Sequence, residues 1–528
     1  MTSSLASYLG FAVLPLYLLV TILIGWIARR RTSTANEFVN ASRSLPLWIV
    51  CLAFFSVNCG ALEIVGFGAA AAQYGVQAFH FYWIGAIPGM ILMGGLMLPL
   101  YMRSGVHSLP EYLEKRFDAR IRLINAWLLL ITGTGLSGIG LYGMAQVLNA
   151  VFRWPFTTST ILVAGIVLVY VLLGGLRATI YNEVFRAAII IVGLLPLLWL
   201  KTTSLHPPTS LSGSHWHVWL GLPGVSPHAT LDKLGVIGGL GFILSIGYWC
   251  TDFVMVQRAL TARSVTAGQF VPLLAGFAKL GFSFLVICPA LGAAAYLGSR
   301  MPASFDQTLP TLMVASYGPL LLGIGLTVLL ASLMSALGSN VSAFSALWTE
   351  EIYRRSIKRD ATERHYLRVA RGSMVAAAFL SIGASYTVFY FSDLMEYVQL
   401  LFSLFVAPFF AIFLLGFFSK KTTSRGALIG LGTGIGLALL HLALIASGHL
   451  AYGSKMSANF YIALFAFLPA LIVGMFFSRP TDRKSNAELE MLVYSQTGAN
   501  PVAKPSRLWW ALAGVLLLSC ALLNYWWR

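Results

Sequence analysis

The sequence predicts an all-α membrane protein, and three observations support that prediction: its composition, the length of its apolar stretches and the placement of its basic residues. Of its 528 residues, 58% are hydrophobic and 10% are charged. Soluble domains carry about 45–50% apolar and about 25% charged residues. The longest aqueous segments, at about 30 residues, are too short to fold as separate domains. We therefore expect a multi-pass protein of the cell membrane whose partner is the lipid bilayer. Despite the net charge of +17, we expect no nucleic-acid partner.

Fourteen apolar stretches are long enough, at about 20 residues, to cross a bilayer as helices. They lie near residues 7–28, 46–72, 78–101, 123–152, 157–174, 181–203, 234–257, 266–297, 311–349, 371–391, 394–418, 426–447, 458–478 and 508–526. The first stretch ends in Arg29-Arg30-Arg31 without a small-residue cleavage site, so we interpret it as a retained helix and not as a signal peptide.

The basic residues predict the orientation of these helices. If the amino terminus is outside, the inner connections hold 28 of the 35 Lys and Arg residues. This number includes Arg177 and Arg186, which we assign to a short turn after residue 174. Basic residues concentrate on the cytoplasmic side of membrane proteins. The sequence therefore predicts that both termini are outside, and topology accounts for most of the positive charge.

Two of the predicted helices contain an internal break, at residues 56–61 and 247–252. The starts of the second, third and fourth stretches recur about 190 residues later, which predicts two inverted repeats of five helices. Transporters with such repeats bind solute and ion where the broken helices meet. The sequence therefore predicts five units. A leading helix with its inner loop spans residues 1–45, the first repeat 46–203, an outer loop 204–233 and the second repeat 234–418. Three trailing helices follow at 419–528, with the inner loop 479–507 between the last two.

Ionisable side chains at membrane depth cost several kcal/mol and are by default candidates for functional sites. Apart from helix ends, they are Glu63, Glu183, Asp252, Lys279, Asp393 and Glu396. Glu63 follows the first break and Lys279 lies mid-helix, so we place the solute near these two. The alternative is that some of the six only pair with one another or reach towards an interface.

The ninth stretch is polar on one side. Ser332, Ser335, Ser339 and Ser342 recur at intervals of three and four residues, so their hydroxyls share one helical face. Hydroxyls and the free carbonyls of an unwound segment are oxygen ligands that suit a sodium ion. The alternative is that the serines bond to their own helix backbone and allow close helix packing.

Five segments in order resemble the sodium:solute symporters, a family with a LeuT-type fold, and the resemblance extends over about residues 5–478. They are residues 37–46, 107–117, 174–183, 257–262 and 349–353. In the third segment Glu183 stands where the family usually has aspartate. The resemblance implies the LeuT-type five-plus-five arrangement.

The resemblance also implies a sodium ion, Na+, as the coupling ion, held between the second and ninth helices. The implied positions are the carbonyls of Ser56, Cys59 and Ser332 and the side chains of Ser335 and Ala336. Ala336 has no hydroxyl, so one expected oxygen is missing; the alternatives that would fill the gap are the hydroxyls of Ser332 and Ser56 and a water molecule. Glu183 is expected near the inner exit, where a carboxylate attracts the cation. Proton coupling through Glu63 is the alternative.

The solute site is similar to that of the sugar branch of this family. The resemblance implies a site formed by Asn58, Glu63, Tyr82, Ser245, Tyr248, Trp249, Lys279 and Gln399. Amide and ammonium groups bond sugar hydroxyls, and an aromatic ring stacks on the apolar face of a sugar. Tyr82 replaces a glutamate of the sugar branch, whereas Glu63 stands where that branch has a neutral or histidine side chain.

We therefore expect a sodium-coupled symporter for a small polar solute, with a sugar or polyol first, working by alternating access. Amino acids, carboxylates, nucleosides and vitamins are the alternative solutes. A transport-like sensor is a second class, but such a sensor needs a signalling domain, for which the chain has no room. A membrane enzyme is not expected because no paired catalytic constellation is present in the sequence.

Overall fold

The computed structural model describes residues 2–29, 45–60, 62–106, 108–202, 216–219, 231–297, 301–494 and 504–527. Within these ranges nearly all regular backbone is helical, and a single β-bridge joins Leu45 to Ala262. The predicted all-α membrane class is thereby confirmed. Most of the inner loop 29–45, most of the outer loop 204–233, and His107 lie outside the described residues.

The long helices are numbered here in chain order, with the two halves of a bent helix called a and b. They are α1 (Thr2–Arg29), α2a (Leu47–Val57), α2b (Leu62–Phe79), α3 (Phe81–Arg103), α4 (Ala119–Phe152), α5 (Phe156–Thr202), α6a (Gly235–Thr251), α6b (Phe253–Leu260), α7 (Val265–Leu297), α8 (Pro319–Ile357), α9 (Glu363–Tyr390), α10 (Leu394–Phe418), α11 (Ser424–Ala446), α12 (Lys455–Phe476) and α13 (Arg507–Trp526). Short helices at Leu109–Arg116, Thr308–Ser316 and Asn486–Leu489 lie between them.

Ten helices in the described part of the chain are long and apolar enough to cross a membrane, or up to twelve if each bent pair is one span. Two shorter apolar helices, Ala12–Ile27 and Phe156–Val169, lie on the first and fifth predicted stretches. Every predicted stretch therefore coincides with helix, while the number of fourteen crossings stays a prediction.

The two bends define the centre of the molecule. The axis turns by 55° between α2a and α2b and by 49° between α6a and α6b. The predicted extent of the second break, 247–252, is wrong, because the helix continues to Thr251 and only Asp252 is extended, at φ −74° and ψ 128°. The Asp252 carboxylate accepts a hydrogen bond from the Met255 N–H at 2.9 Å, so it caps the new helix α6b. In the first break, Ser56 and Val57 also remain helical.

The predicted helix over 311–349 is two helices in the structure. Thr308–Ser316 ends before an extended Gly318, at ψ 169°, and α8 begins at Pro319. Proline lacks an N–H and disfavours helical geometry in the residue before it, which explains why one helix does not run through this point.

The predicted short turn after residue 174 is absent from the described backbone, and α5 is helical from Phe156 to Thr202. Its 47 residues would extend about 70 Å if straight, more than twice the apolar thickness of a bilayer. This element therefore contains both predicted stretches 157–174 and 181–203.

The bent helices are enclosed by the rest of the bundle. Both halves of α2 pack against α7, whereas α2a also packs against α5. Helix α8 packs against α4, α5 and α1, and α6a packs against α3 and α10. The carboxyl end of α2a, the middle of α5 and the middle of α8 therefore meet beside the first break.

Contacts between loops agree with the predicted sidedness. In the predicted outer loop, the Val218 N–H donates to the Trp527 carbonyl at 3.2 Å, next to the carboxyl end of α13. In the predicted inner loops, Lys484 Nζ donates to the Lys115 carbonyl at 2.7 Å. Each contact joins two segments that the predicted orientation places on the same side, and the orientation itself stays a prediction.

Candidate functional site

A buried polar network lies at the first helix break. The Lys279 ammonium on α7 donates to Glu63 Oε1 at 2.7 Å, to Asn58 Oδ1 at 2.6 Å and to the Asn58 carbonyl at 3.1 Å. The three acceptors match the three donors of an ammonium group. Glu63 Oε2 accepts from the Tyr82 hydroxyl at 2.6 Å. The network is therefore closed, and the two buried charges compensate each other.

Local backbone geometry explains how these groups reach one place. Asn58 follows the last residue of α2a, where carbonyl groups have no partner within the helix. Glu63 lies in the π-helical turn Leu62–Gly66 and Tyr82 in the π-helical turn Phe81–Ala86. Such turns are rare and occur frequently at functional sites. The break supplies a carbonyl, an amide and a carboxylate within six residues of chain.

The second bent helix joins this network through two aromatic residues. Asn58 Nδ2 donates to the Tyr248 hydroxyl at 2.9 Å, and the Tyr248 ring stacks on Phe402 with 5.0 Å between centroids. The Trp249 ring centroid lies 5.9 Å from Lys279 Nζ. The two breaks are thus connected directly, as the repeat arrangement predicts.

A cavity of about 60 Å³ borders the network, enough for several water molecules. Polar side chains from both bent helices and from α8 line it among apolar ones. The polar lining is Asn58, Glu63, Tyr248, Asp252, Ser339 and Asn340. The lining combines mostly apolar side chains with a few convergent polar groups, as solute sites do, but the volume is well below the about 300–1,000 Å³ of a typical solute pocket.

Six of the eight predicted solute residues come together here: Asn58, Glu63, Tyr82, Tyr248, Trp249 and Lys279. Ser245 instead packs on Gly85 of α3, where an added Cβ would lie 2.6 Å from its hydroxyl. Gln399 is buried on α10, and its Oε1 has no hydrogen-bond partner among the described residues. One turn before it, Met395 contacts Gly66 of α2b, so Gln399 lies near the network but outside it.

The five predicted sodium positions lie where α2a meets α8, but their oxygens differ in availability. The Ser56 carbonyl accepts from the Cys59 N–H at 3.0 Å, and the Ser332 hydroxyl donates to the Val328 carbonyl of its own helix at 2.9 Å. The Ser335 hydroxyl is buried and has no partner in the described structure. The Ala336 methyl group lies against Gly60, where an added Cβ would be 2.9 Å away.

Glu183 lies in a second buried ion pair. Its Oε1 is 3.0 Å from Arg258 Nη2 and accepts from the Ser339 hydroxyl at 2.7 Å. Both charged side chains are fully buried. The pair connects α5, α6b and α8, so the carboxylate predicted to attract an ion at the inner exit already has a cationic partner.

Two arginines were placed wrongly from the sequence. Arg186 and Arg258, counted among the basic residues of inner connections, are 2% and 0% exposed. Arg186 lies within the predicted stretch 181–203, and a charge inside a span is itself a signal for a functional site. Without these two and Arg177, which lies within the continuous helix α5, 25 of the 35 basic residues belong to the predicted inner connections, and the orientation stays a prediction.

Sequence comparison gives a family match over most of the chain. The model of the family described as "Sodium:solute symporter family" matches residues 38–434. The chain is 26% identical to the sodium/glucose cotransporter of Vibrio parahaemolyticus over 475 residues, which covers 82% of this chain and 85% of that protein. It is 28% identical to the sodium/glucose cotransporter 1 of Mus musculus (80% and 69% covered) and to the sodium/myo-inositol cotransporter of Canis lupus familiaris (82% and 66% covered).

Comparison with solved structures gives the same fold. A Na+-coupled sialic acid symporter, in a substrate-bound outward-open state, superposes with a TM-score of 0.74 at 19% identity. The superposition covers 89% of this chain and 97% of that one. At this identity the likeness establishes the fold alone, which is the LeuT-type fold implied by the sequence motifs.

Proposed function

Because this chain belongs to the sodium:solute symporter family, we propose that it imports a small polar organic solute together with sodium by alternating access. The chain is a multi-pass membrane transporter and not an enzyme. In this mechanism, solute and ion bind beside the helix breaks, and rocking of one group of helices against the other then opens the inner side.

The network of Lys279, Glu63, Asn58 and Tyr82 beside the cavity is the observation that carries this proposal. Each hydroxyl of a polyol both donates and accepts, and the network, once it opens, offers an ammonium, a carboxylate, an amide and a phenol to such groups. The Tyr248 and Trp249 rings offer apolar faces for the carbon skeleton. Relatives named for glucose and myo-inositol support a sugar or related polyol as the solute.

A zwitterionic solute is the second candidate, and the 2.7 Å pair between Lys279 and Glu63 favours it. If this pair opens, it presents one cationic and one anionic group, which match the carboxylate and amino groups of an amino acid. A neutral sugar has no charged groups, so its hydroxyl groups would have to bond both the Lys279 ammonium and the Glu63 carboxylate.

For the coupling ion, sodium is favoured over the proton by the contacts of Glu63. A proton carrier must release and regain its proton, whereas Glu63 is held by both Lys279 and Tyr82. Sodium instead would use the backbone and hydroxyl oxygens near Ser56 and Ser335. A sodium ion gains about 2.3 kcal/mol per 100 mV of membrane potential, in addition to its concentration gradient.

Uptake into proteoliposomes tests the proposal. The purified chain is reconstituted, sodium, proton or no gradient is imposed, and labelled hexoses, inositol, amino acids, carboxylates, nucleosides and vitamins are screened. We expect sodium-driven uptake of a hexose or polyol. Uptake of an amino acid only would replace the sugar assignment, and uptake driven by protons but indifferent to sodium would overturn sodium coupling.

We also propose the organisation of the chain in the membrane, with repeats at 46–203 and 234–418, both termini outside, and the loop 479–507 inside. The loop contacts described above support it. Single cysteines introduced at Lys484 and at Lys233 test it, with the native cysteines replaced by serine or alanine. An impermeant maleimide should label the second but not the first in intact cells; the reverse pattern would invert the orientation.

A further inference from the structure

Arg186 lies at the predicted sodium site. Its Nε donates to the Ser56 hydroxyl at 3.1 Å and its Nη1 to the Ala331 carbonyl at 3.5 Å. Ser56 is one predicted sodium position, and Ala331 directly precedes another, Ser332. The side chain is 2% exposed. The guanidinium group therefore bridges α2a and α8, the two helices between which the ion was predicted to bind.

The positive charge of Arg186 has no direct counterion among the described residues. None of their ion pairs within 4.0 Å includes it, and its Nη2 has no hydrogen-bond partner there. The nearest acidic residue on its own helix, Glu183, is paired with Arg258. Neither Glu183 nor Glu63, which is paired with Lys279, is therefore a direct counterion of Arg186, and the guanidinium charge itself opposes the entry of a second cation.

The guanidinium group bonds oxygens beside the predicted sodium ligands: the hydroxyl of Ser56, whose carbonyl is a predicted ligand, and the carbonyl of Ala331, which precedes Ser332. A guanidinium group donates hydrogen bonds to the same carbonyl and hydroxyl oxygens that coordinate a hard cation. The Ser56 hydroxyl is occupied by Arg186, the Ser335 hydroxyl is buried without a partner in the described structure, and Ala336 supplies no oxygen. The predicted sodium site thus lacks the side-chain oxygen expected at position 336 and lies next to the positive charge of Arg186.

We propose that the Arg186 guanidinium is a tethered cation that competes with sodium for the site between α2a and α8. It holds the two helices together as a bound ion would, and sodium enters only when the guanidinium withdraws from Ser56. This inference rests on the proposed cation-coupled function and assigns to Arg186 the control of sodium affinity. Weak sodium dependence of the wild-type protein is its direct consequence.

Sodium binding to the purified full-length protein, measured without solute by titrating NaCl at constant ionic strength with choline chloride, tests this inference. The readouts are thermal unfolding temperature and tryptophan fluorescence. The Arg186→Gln substitution removes the charge and keeps an N–H donor for Ser56, whereas Arg186→Lys keeps the charge. We expect Arg186→Gln to lower the half-saturating sodium concentration at least about tenfold, with Arg186→Lys close to wild type.

An unchanged or weakened sodium affinity in a folded Arg186→Gln variant overturns the inference, and so does an equal gain in Arg186→Lys. If Arg186→Gln does not fold, Ser56→Ala provides the test, because it removes the acceptor of Arg186 Nε and leaves the Ser56 carbonyl in place. It should also tighten sodium binding, and an unchanged affinity would overturn the inference. Solute uptake is measured separately, so that a protein without uptake refutes the proposed function while the sodium titration still decides the role of Arg186.

Discussion

Two buried cations in this bundle have opposite surroundings. Lys279 meets three oxygens, one of them from the Glu63 carboxylate 2.7 Å away. Arg186 meets two uncharged oxygens at 3.1 and 3.5 Å, and one of its nitrogens has no partner among the described residues. Both side chains are almost fully buried, at 0% and 2% exposure.

The difference indicates two separate tasks. Where opposite charges are paired, removing one partner leaves the other buried and uncompensated, so the pair is expected to contribute to stability as well as to solute recognition. Where a cation has no counterion, it acts on its surroundings mainly by repelling other cations. The surroundings of Lys279 and of Arg186, where we propose that solute and ion bind, therefore differ in charge balance.

The largest expected effect follows from breaking the balanced pair. Lys279→Met leaves the Glu63 carboxylate buried without its cation and should lower the free energy of unfolding by about 3–5 kcal/mol. Thermal and denaturant unfolding in detergent measure this loss. The double variant Glu63→Gln/Lys279→Met removes both charges and should recover most of the stability. A double variant as unstable as the single one would show that the pair is not the source of the effect.

The next effect concerns the solute side of the comparison. Gln399→Ala should weaken binding of the transported solute about tenfold, the equivalent of one hydrogen bond of about 1.4 kcal/mol, because its free Oε1 lies near the network. Equilibrium binding of the solute identified in the uptake screen measures this change. The matched control is Gln146→Ala, whose amide bonds Gln307 away from the breaks, and it should bind solute as wild type does. Equal affinity in Gln399→Ala and wild type would remove Gln399 from the site.

A smaller effect is expected from the unbalanced cation. Arg186→Gln should change the free energy of unfolding in sodium-free buffer by no more than about 1 kcal/mol, because no carboxylate is left unpaired. The same unfolding assay used for Lys279→Met makes the comparison direct. If Arg186→Gln lowered the free energy of unfolding as much as Lys279→Met does, Arg186 would have a structural counterion. The two regions would then not differ in charge balance.

The smallest effect is expected at Ala336. In the wild-type background Ala336→Ser should change the half-saturating sodium concentration by less than about twofold, because Arg186 still opposes the ion. In the Arg186→Gln background the added hydroxyl should tighten sodium binding several-fold, to roughly the extent of one further oxygen ligand. Sodium titrations of the four proteins measure both steps. A large gain in the wild-type background would indicate that ligand number, and not charge, limits affinity.

Much of the fold could be predicted because it depends on one-dimensional signals. Apolar stretches of bilayer length identify helices, and the residues around Asn58 and Asp252 interrupt two of them. Local backbone chemistry then moved the boundaries: Pro319 ended a predicted helix early, and the Asp252 cap shortened the second break. These corrections of a few residues did not alter the arrangement of the helices.

By itself, the sequence identified Glu63, Glu183 and Lys279 as ionisable residues in apolar stretches, since such stretches are visible in composition and spacing, but it assigned Arg186 and Arg258 to inner connections. Only the tertiary structure decided how they pair. Lys279 bonds Asn58 across 221 residues, Arg186 bonds Ser56 across 130, and Arg258 bonds Glu183 across 75. Each pairing depends on the depth and the rotation of two helices relative to each other, and neither quantity is encoded in the local pattern of either helix. For this reason the sequence could predict Glu63 and Lys279 as candidate site residues, whereas the contact between Arg186 and Ser56 is visible only in the tertiary structure.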